Sequence, residues 1–344
     1  MTRERIVAGD PSGGEEEAFT WSLRPKTLGE YIGQKAIVDK LSISLEAARM
    51  RDEPQEHLLL HGPPGLGKTT LAHIVAREMD SRLITSSGPS LTRIADLMGI
   101  LTNLEAGDVL FIDEIHRLPR NIEEFIYPAM EDFRVDFVLD KGPFSKIINV
   151  PLKRFTLIGA TTRVGLISPP LRDRFGITYH LDFYPAADIY KIVVRSAELL
   201  KIRIDREGAE IVARCSRGTP RIANRLLRRV RDYATVRGDG FIDAAVAELS
   251  LTMEGIDKRG LDDLDRSLLK VIIDYYHGGP VGIEAVAATL SEEVATIEEL
   301  VEPYLLKIGF LMRTKRGRVV GPDAYCHLGL PAQGVPQGNL FENG

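Results

Sequence analysis

Several things are scarce in this 344-residue chain, and each scarcity excludes something. There are two cysteines, Cys215 and Cys326, far apart in the sequence. They make no disulfide framework, which fits a reducing cytoplasm. No stretch approaches the ~20 apolar residues that a bilayer-spanning helix needs. The opening MTRERIVAGDPSGGEEEAF lacks the apolar core of a secretory leader, so no export is expected. Neither sign of charge dominates: 44 basic residues stand against 49 acidic ones, a formal net charge of −5. An overall basic coat is thereby excluded, whereas local basic clusters stay open. No internal repeat is present.

What is present is ordinary for a globular protein: 44% apolar and 27% charged residues, in a chain long enough for two or three domains. Residues 1–20 read as a flexible tail, poor in large apolar side chains, and 331–344, rich in Pro, Gly and Asn, read as another. Between them, Leu41, Ile43, Leu45 and Ala48 mark a helix that ends at Glu53-Pro54. The short apolar runs 58–60, 83–84, 109–112 and 155–158 read as buried strands separated by helices. That alternation predicts an α/β domain with a mostly parallel sheet over 21–185. Residues 134–138 and 146–150 flank the turn signal Asp140-Lys141-Gly142-Pro143, which predicts a β-hairpin near 133–150. From 186 to 255 the chain reads as helices only. A third unit, 256–330, reads as helices followed by two short strands around Lys315-Arg316-Gly317, the pattern of a winged helix.

One motif carries chemistry by itself. Gly62-Pro63-Pro64-Gly65-Leu66-Gly67-Lys68-Thr69 fits the phosphate-loop pattern, followed by Thr70, and lies between a strand and a helical run. Glycines there let backbone N–H groups converge on phosphate oxygens at a helix N-terminus. Lys68 can reach the β and γ phosphates, and the Thr69 hydroxyl can bind Mg²⁺. Asp113 and Glu114 end the buried run 109–112, where two carboxylates need a positive partner. A nucleotide-bound Mg²⁺ would supply it, with Asp113 in the metal shell and Glu114 polarising the attacking water.

With GPPGLGKTTLA (62–72), FIDEIHRL (111–118), FTLIGATTR (155–163), LRDRFG (171–176), GTPRIANRLLRRVRD (218–232), EPYL (302–305) and RTKRGR (313–318), the chain resembles the AAA+ ATPases. Within them it is similar to the bacterial motors of Holliday-junction branch migration. The resemblance implies a P-loop sheet domain, a helical lid and a C-terminal winged-helix head, with ATP and Mg²⁺ as ligands. It also implies a homohexamer that moves duplex and four-way junction DNA with RuvA, alongside the resolvase RuvC. Thr161 matches the polar residue that senses γ-phosphate, with Thr162 as a nearby competitor. Arg174 matches the finger that enters a neighbour's site, with Arg172 two residues away. Arg221 matches a second nucleotide-sensing arginine. Leu23, Arg24, Tyr31 and Ile32 fall in the adenine-wrapping segment, which Tyr184 closes. Glu131, Asp132 and Phe133 match a segment also placed by the nucleotide.

Residues 301–320 carry Lys307, Arg313, Lys315, Arg316 and Arg318 against Glu302. Charge alone leaves a solvated hairpin open; the resemblance turns Arg313, Arg316 and Arg318 into expected DNA contacts. It likewise makes the hairpin near 133–150 the docking site for RuvA, although a hairpin folded back on its own domain remains the alternative. An ATP-driven assembly switch, of clamp-loader or initiator type, is the competing function.

Overall fold

The stripe at 37, 41, 45 and 48 forms the buried side of helix α1 (Lys35–Arg51). Ile43 does not belong to it: two residues rotate a helix by about 200°, and Ile43 is 70% exposed. The computed structural model describes residues 23–138 and 147–331. Most of both expected tails therefore lies outside the described residues. The chain divides into two units, one within Ser12–Lys191 and the other within Ile192–Gly344.

In the first unit, β1 (Leu58–His61), β2 (Leu83–Ser87), β3 (Val109–Asp113), β6 (Thr156–Thr161) and β7 (Ile177–His180) form a parallel sheet in the order β2-β3-β6-β1-β7. Helices α2 (Lys68–Glu78), α3 (Ile94–Thr102), α4 (Arg120–Glu131) and α5 (Pro169–Arg172) alternate with them. The central strands are buried almost throughout, which is why they read as unbroken apolar runs. Edge strand β7, ITYH, has Tyr179 as its one buried residue, and no apolar run announces it.

Strands β4 (Arg134–Val138) and β5 (Ile147–Pro151) pair antiparallel, Val135 opposite Val150. Val135 is buried in the domain core, whereas Ile148 is 42% exposed. The base of the hairpin is thus anchored to its own domain. The turn 140–143, Phe144 and the side chains of Phe137, Val138 and Ile147 lie outside what is described.

The second unit contains most of α6 (Ala186–Leu199), then α7 (Arg206–Cys215), α8 (Pro220–Arg237) and α9 (Ala244–Met253). Asp205 and Asp243 cap α7 and α9, accepting from Gly208 N–H at 2.7 Å and Val246 N–H at 2.8 Å. The segment is not purely helical: β8 (Arg203–Ile204) and β9 (Phe241–Ile242) pair in parallel. Two residues are too short a run to show a period, so sequence could not reveal them.

Beyond it, α10 (Asp263–Tyr276), α11 (Ile283–Leu290), α12 (Val294–Thr296), a π-helical turn (Ile297–Val301), α13 (Glu302–Lys307), antiparallel β10 (Leu311–Thr314) and β11 (Gly317–Val320), and α14 (Pro322–Leu328) surround a separate core including Leu268, Ile272, Val286, Val301 and Leu305. Arg217 ties the α7–α8 loop to this head. It is 2% exposed, pairs with the fully buried Asp265, donates from Nε to Gly260 O at 2.7 Å and lies 5.4 Å from the Tyr304 ring centroid. No helix among the described residues is long and apolar enough to cross a membrane.

Candidate functional site

Because the sheet is parallel, the C-terminal ends of its strands share one edge, where His61 leads into the phosphate loop and Asp113 ends β3. Ligands of open α/β sheets bind at that edge. At two positions the loop tolerates no side chain. Gly62, at φ +141°, has the Leu181 carbonyl where a Cβ would stand, and Gly67, at φ +105°, has the Tyr31 hydroxyl there. Lys68 begins α2 and is nearly buried. Its ammonium donates to the carbonyls of Gly62 at 2.8 Å and Pro63 at 3.0 Å. Burial pulls its pKa below the ordinary lysine value, and the nearby Glu114 and Asp113 partly offset that.

Tyr31 and Tyr184, far apart in sequence, meet over the loop. Their hydroxyls are 2.9 Å apart and lie 3.4 and 3.1 Å from the Leu66 carbonyl. Burial raises the pKa of both, that of Tyr184 to about 12, so both are neutral hydrogen-bonding groups. Leu23 is buried on the same unit, while Arg24 and Ile32 are half-buried. Tyr31 and Tyr184 are therefore brought to the loop.

Glu114 has a left-handed backbone, φ 47°, and initiates the 3₁₀ turn Ile115–Arg117. Its carboxylate meets the Thr162 hydroxyl at 3.2 Å and His116 Nδ1 at 3.1 Å. Burial opposes its ionisation, but the hydrogen bond and charge of His116, then the charge of Lys68, outweigh it and hold the carboxyl below the usual glutamate range. Asp113 accepts the Glu114 N–H at 2.9 Å. Of the two candidate sensor threonines, Thr162 touches Glu114. Thr161 is wholly buried; its oxygen lies 2.9 Å from His116 Nδ1 and accepts the Arg163 N–H at 2.9 Å. His116 had no signal in the sequence beyond its place two residues after Glu114.

The other predicted nucleotide residues gather at the opposite edge. Arg174 lies just before β7, whose Ile177 N–H bonds His57 O at the start of β1. Its guanidinium sits 4.1 Å from the Tyr127 ring centroid, pairs with Glu131 at 3.2 Å and donates to Pro170 O at 2.7 Å. Phe133 packs against His57 and Phe155, which precede β1 and β6, and Asp132 pairs with Arg134 at 3.0 Å. The length of β1, about 10 Å, separates this edge from the phosphate loop. The structure therefore does not bring Arg174, Glu131, Asp132 or Phe133 to the chain's own loop. Arg172 ends α5, and Arg221 belongs to α8 of the other unit.

On the wing, Arg316 and Lys315 are exposed at the β10–β11 turn. Arg313 and Arg318 are already engaged. Buried Glu302 receives Arg313 at 2.9 and 2.6 Å and Arg318 at 2.9 and 3.3 Å, and Arg318 also reaches Glu298 at 3.3 Å. Burial works against the Glu302 charge, but the two arginines prevail and lower its pKa. Arg313 keeps 53% of its side chain exposed, Arg318 only 17%.

A parallel sheet whose glycine loop opens a helix, with an acidic pair at the end of a neighbouring strand, followed by a helical lid, defines an AAA+ ATPase. Family models match nearly the whole described chain: the Holliday junction DNA helicase RuvB P-loop domain over 23–181, the RuvB AAA lid domain over 184–257 and the RuvB C-terminal winged helix domain over 258–329. The chain is similar to the Thermotoga maritima RuvB Holliday junction branch migration motor, with 50% identity and a TM-score of 0.83, covering 91% of this chain and 100% of that one. A single-residue variant of that protein matches with 50% identity and a TM-score of 0.84, over 90% and 99% of the two chains. The chain belongs to the RuvB family of Holliday-junction branch-migration motors.

Proposed function

We propose that this ATPase works as a homohexameric ring in the cytoplasm, pumping duplex DNA so that a four-way junction bound by RuvA migrates, with RuvC resolving the product. The observation that carries the ring is the separation of Arg174 from its own phosphate loop. A finger at one edge of the sheet and a loop at the other complete a site only when two copies meet.

In that site Lys68 leaves the loop carbonyls for the β and γ phosphates, while Gly62, Gly65, Leu66, Gly67, Thr69 and Thr70 line the phosphates. Leu23, Arg24, Tyr31, Ile32 and Tyr184 enclose the base. Glu114 orients and deprotonates the attacking water, and Arg174 from the neighbour neutralises charge developing on the transferred phosphoryl group. Glu131, Asp132 and Phe133 approach the nucleotide from that same neighbour. Thr161 or Thr162 and Arg221 sense the nucleotide. No group of three or more His, Cys, Asp or Glu able to hold a metal occurs among the described residues. Mg²⁺ keeps most of its water and takes few protein ligands beside phosphates. Thr69 and Asp113 supply hard oxygens for it, and the bound ion would neutralise phosphate charge.

The test is branch migration of synthetic four-way junctions with and without ATP and RuvA. Movement requiring both is expected; no movement under any condition would reject the motor reading. The RuvB family membership disfavours the competing assembly switch, and strand movement with a non-hydrolysable analogue would restore it.

The wing supports DNA contact unevenly. Arg316, exposed at the tip of the turn, is suited to phosphate; Arg313 can share itself between Glu302 and phosphate; Arg318 chiefly holds the wing's shape. Arg316→Ala is expected to weaken binding to all duplex sequences alike and to reduce the slope of log K against log salt by about 1. Arg318→Ala should instead loosen the wing, seen as faster amide exchange in β10 and β11. Equal salt slopes for wild type and Arg316→Ala would remove Arg316 from the phosphate contacts.

A further inference from the structure

One imidazole nitrogen in the active site is placed between two oxygens. His116 Nδ1 lies 3.1 Å from Glu114 Oε2 and 2.9 Å from Thr161 Oγ1. The His116 side chain is only 7% exposed and Thr161 is wholly buried, so the imidazole end of both bonds is shielded from solvent, whereas Glu114 keeps 30% of its side chain exposed. An imidazole nitrogen presents in its plane either one proton or one lone pair. Carrying the proton, Nδ1 donates to the carboxylate; carrying the lone pair, it accepts from the Thr161 hydroxyl and gives the carboxylate nothing. Thr161, held by the Arg163 N–H at 2.9 Å, thus meets Glu114 through His116 and not directly.

The backbone on the far side leaves the side chain as the adjustable part. A Cβ on Gly88 would collide with the Glu114 carbonyl, so the 88–90 turn presses directly on the Glu114 main chain. The carboxylate is then held by Thr162, through its hydroxyl at 3.2 Å, and by His116.

We infer that His116 is a positioning residue for ATP hydrolysis: its Nδ1 aims the Glu114 carboxylate, and Thr161 acts on that carboxylate only by way of His116. The inference rests on Glu114 being the group that activates water. Loss of a hydrogen bond to a partly buried charge, and of general-base alignment with it, changes a rate by about ten- to a hundredfold.

The experiment is steady-state ATPase and nucleotide affinity of the full chain carrying Glu114→Gln, His116→Gln or His116→Asn. An asparagine amide nitrogen stands near the Nδ1 position, whereas the longer glutamine reaches towards Nε2. Glu114→Gln should abolish turnover. His116→Gln should lower kcat by about tenfold or more with KM for ATP nearly unchanged, and His116→Asn should recover most of that loss. Turnover surviving in Glu114→Gln would defeat the role of Glu114 and the inference with it. Turnover lost in Glu114→Gln, with His116→Asn no better than His116→Gln, would overturn the inference alone.

Discussion

Replacing Arg174 by alanine is expected to lower ATP turnover by about 10³-fold or more, the scale of an arginine finger, while nucleotide affinity changes little. The asymmetry follows from position. Within its own chain the guanidinium lies on Tyr127 and against Glu131 at the edge of the sheet away from the loop, so its loss removes nothing from the loop's own contacts. Its Nε is buried with no hydrogen-bond partner among the described residues, a cost that a neighbouring phosphate could relieve on assembly. A mixing experiment separates action in trans from action in cis. Arg174→Ala and Glu114→Gln chains, each inactive alone, should regain part of the turnover when mixed, because some interfaces then pair an intact arginine with an intact glutamate. Failure to regain any, with mixed rings demonstrated, would count against the finger acting between subunits.

Asp265→Ala is expected to destabilise the second unit by roughly 3–5 kcal/mol, the usual cost of leaving a buried charge without its partner. Arg217 would remain 2% exposed with its principal carboxylate gone, and Asp262, 12% exposed and 3.7 Å away, is too distant to replace it fully. Asp265 also accepts the Asp262 N–H at 2.8 Å, so the first turn of α10 would lose its capping box. Urea unfolding followed in the second unit measures the loss. An apolar pair, Arg217→Met with Asp265→Leu, should recover much of it, since burying two charges is itself costly. A loss below about 1 kcal/mol for Asp265→Ala would mean that water enters the site and the pair is not effectively buried. Arg217 lies four residues before Arg221, so the same lock joins the start of α8 to the head.

How much of this was legible beforehand depended on whether a feature had a local cause. The phosphate loop was legible because its glycines, lysine and threonine are required by phosphate within eight consecutive residues. Strands β1, β3 and β6 were legible because strands covered on both faces become apolar runs, edge strand β2 through the apolar pair Leu83-Ile84 alone, and the hairpin because two strand-like runs flank a turn. Edge strand β7, with one buried residue, and the two-residue pair β8–β9 gave no such run. Ile43 satisfied an apolar pattern yet faces solvent, because a list of apolar residues is weaker evidence than their angular spacing.

The wing shows the same limit for charge. Arg313, Arg316 and Arg318 are alike as letters, but Glu302, buried beneath them from another element, holds two of the three and leaves the turn arginine outermost. Sequence by itself determined the chemistry available to this protein: a glycine loop for phosphates, an acidic pair beside it, a basic turn far down the chain. Tertiary structure alone decided the allocation. It set His116 against Glu114, turned Thr161 away and put Arg174 at the far edge of the sheet. The physical reason is that a parallel sheet sends each strand's two ends to opposite edges, so beyond a single loop the separation along the chain does not say which residues share a site.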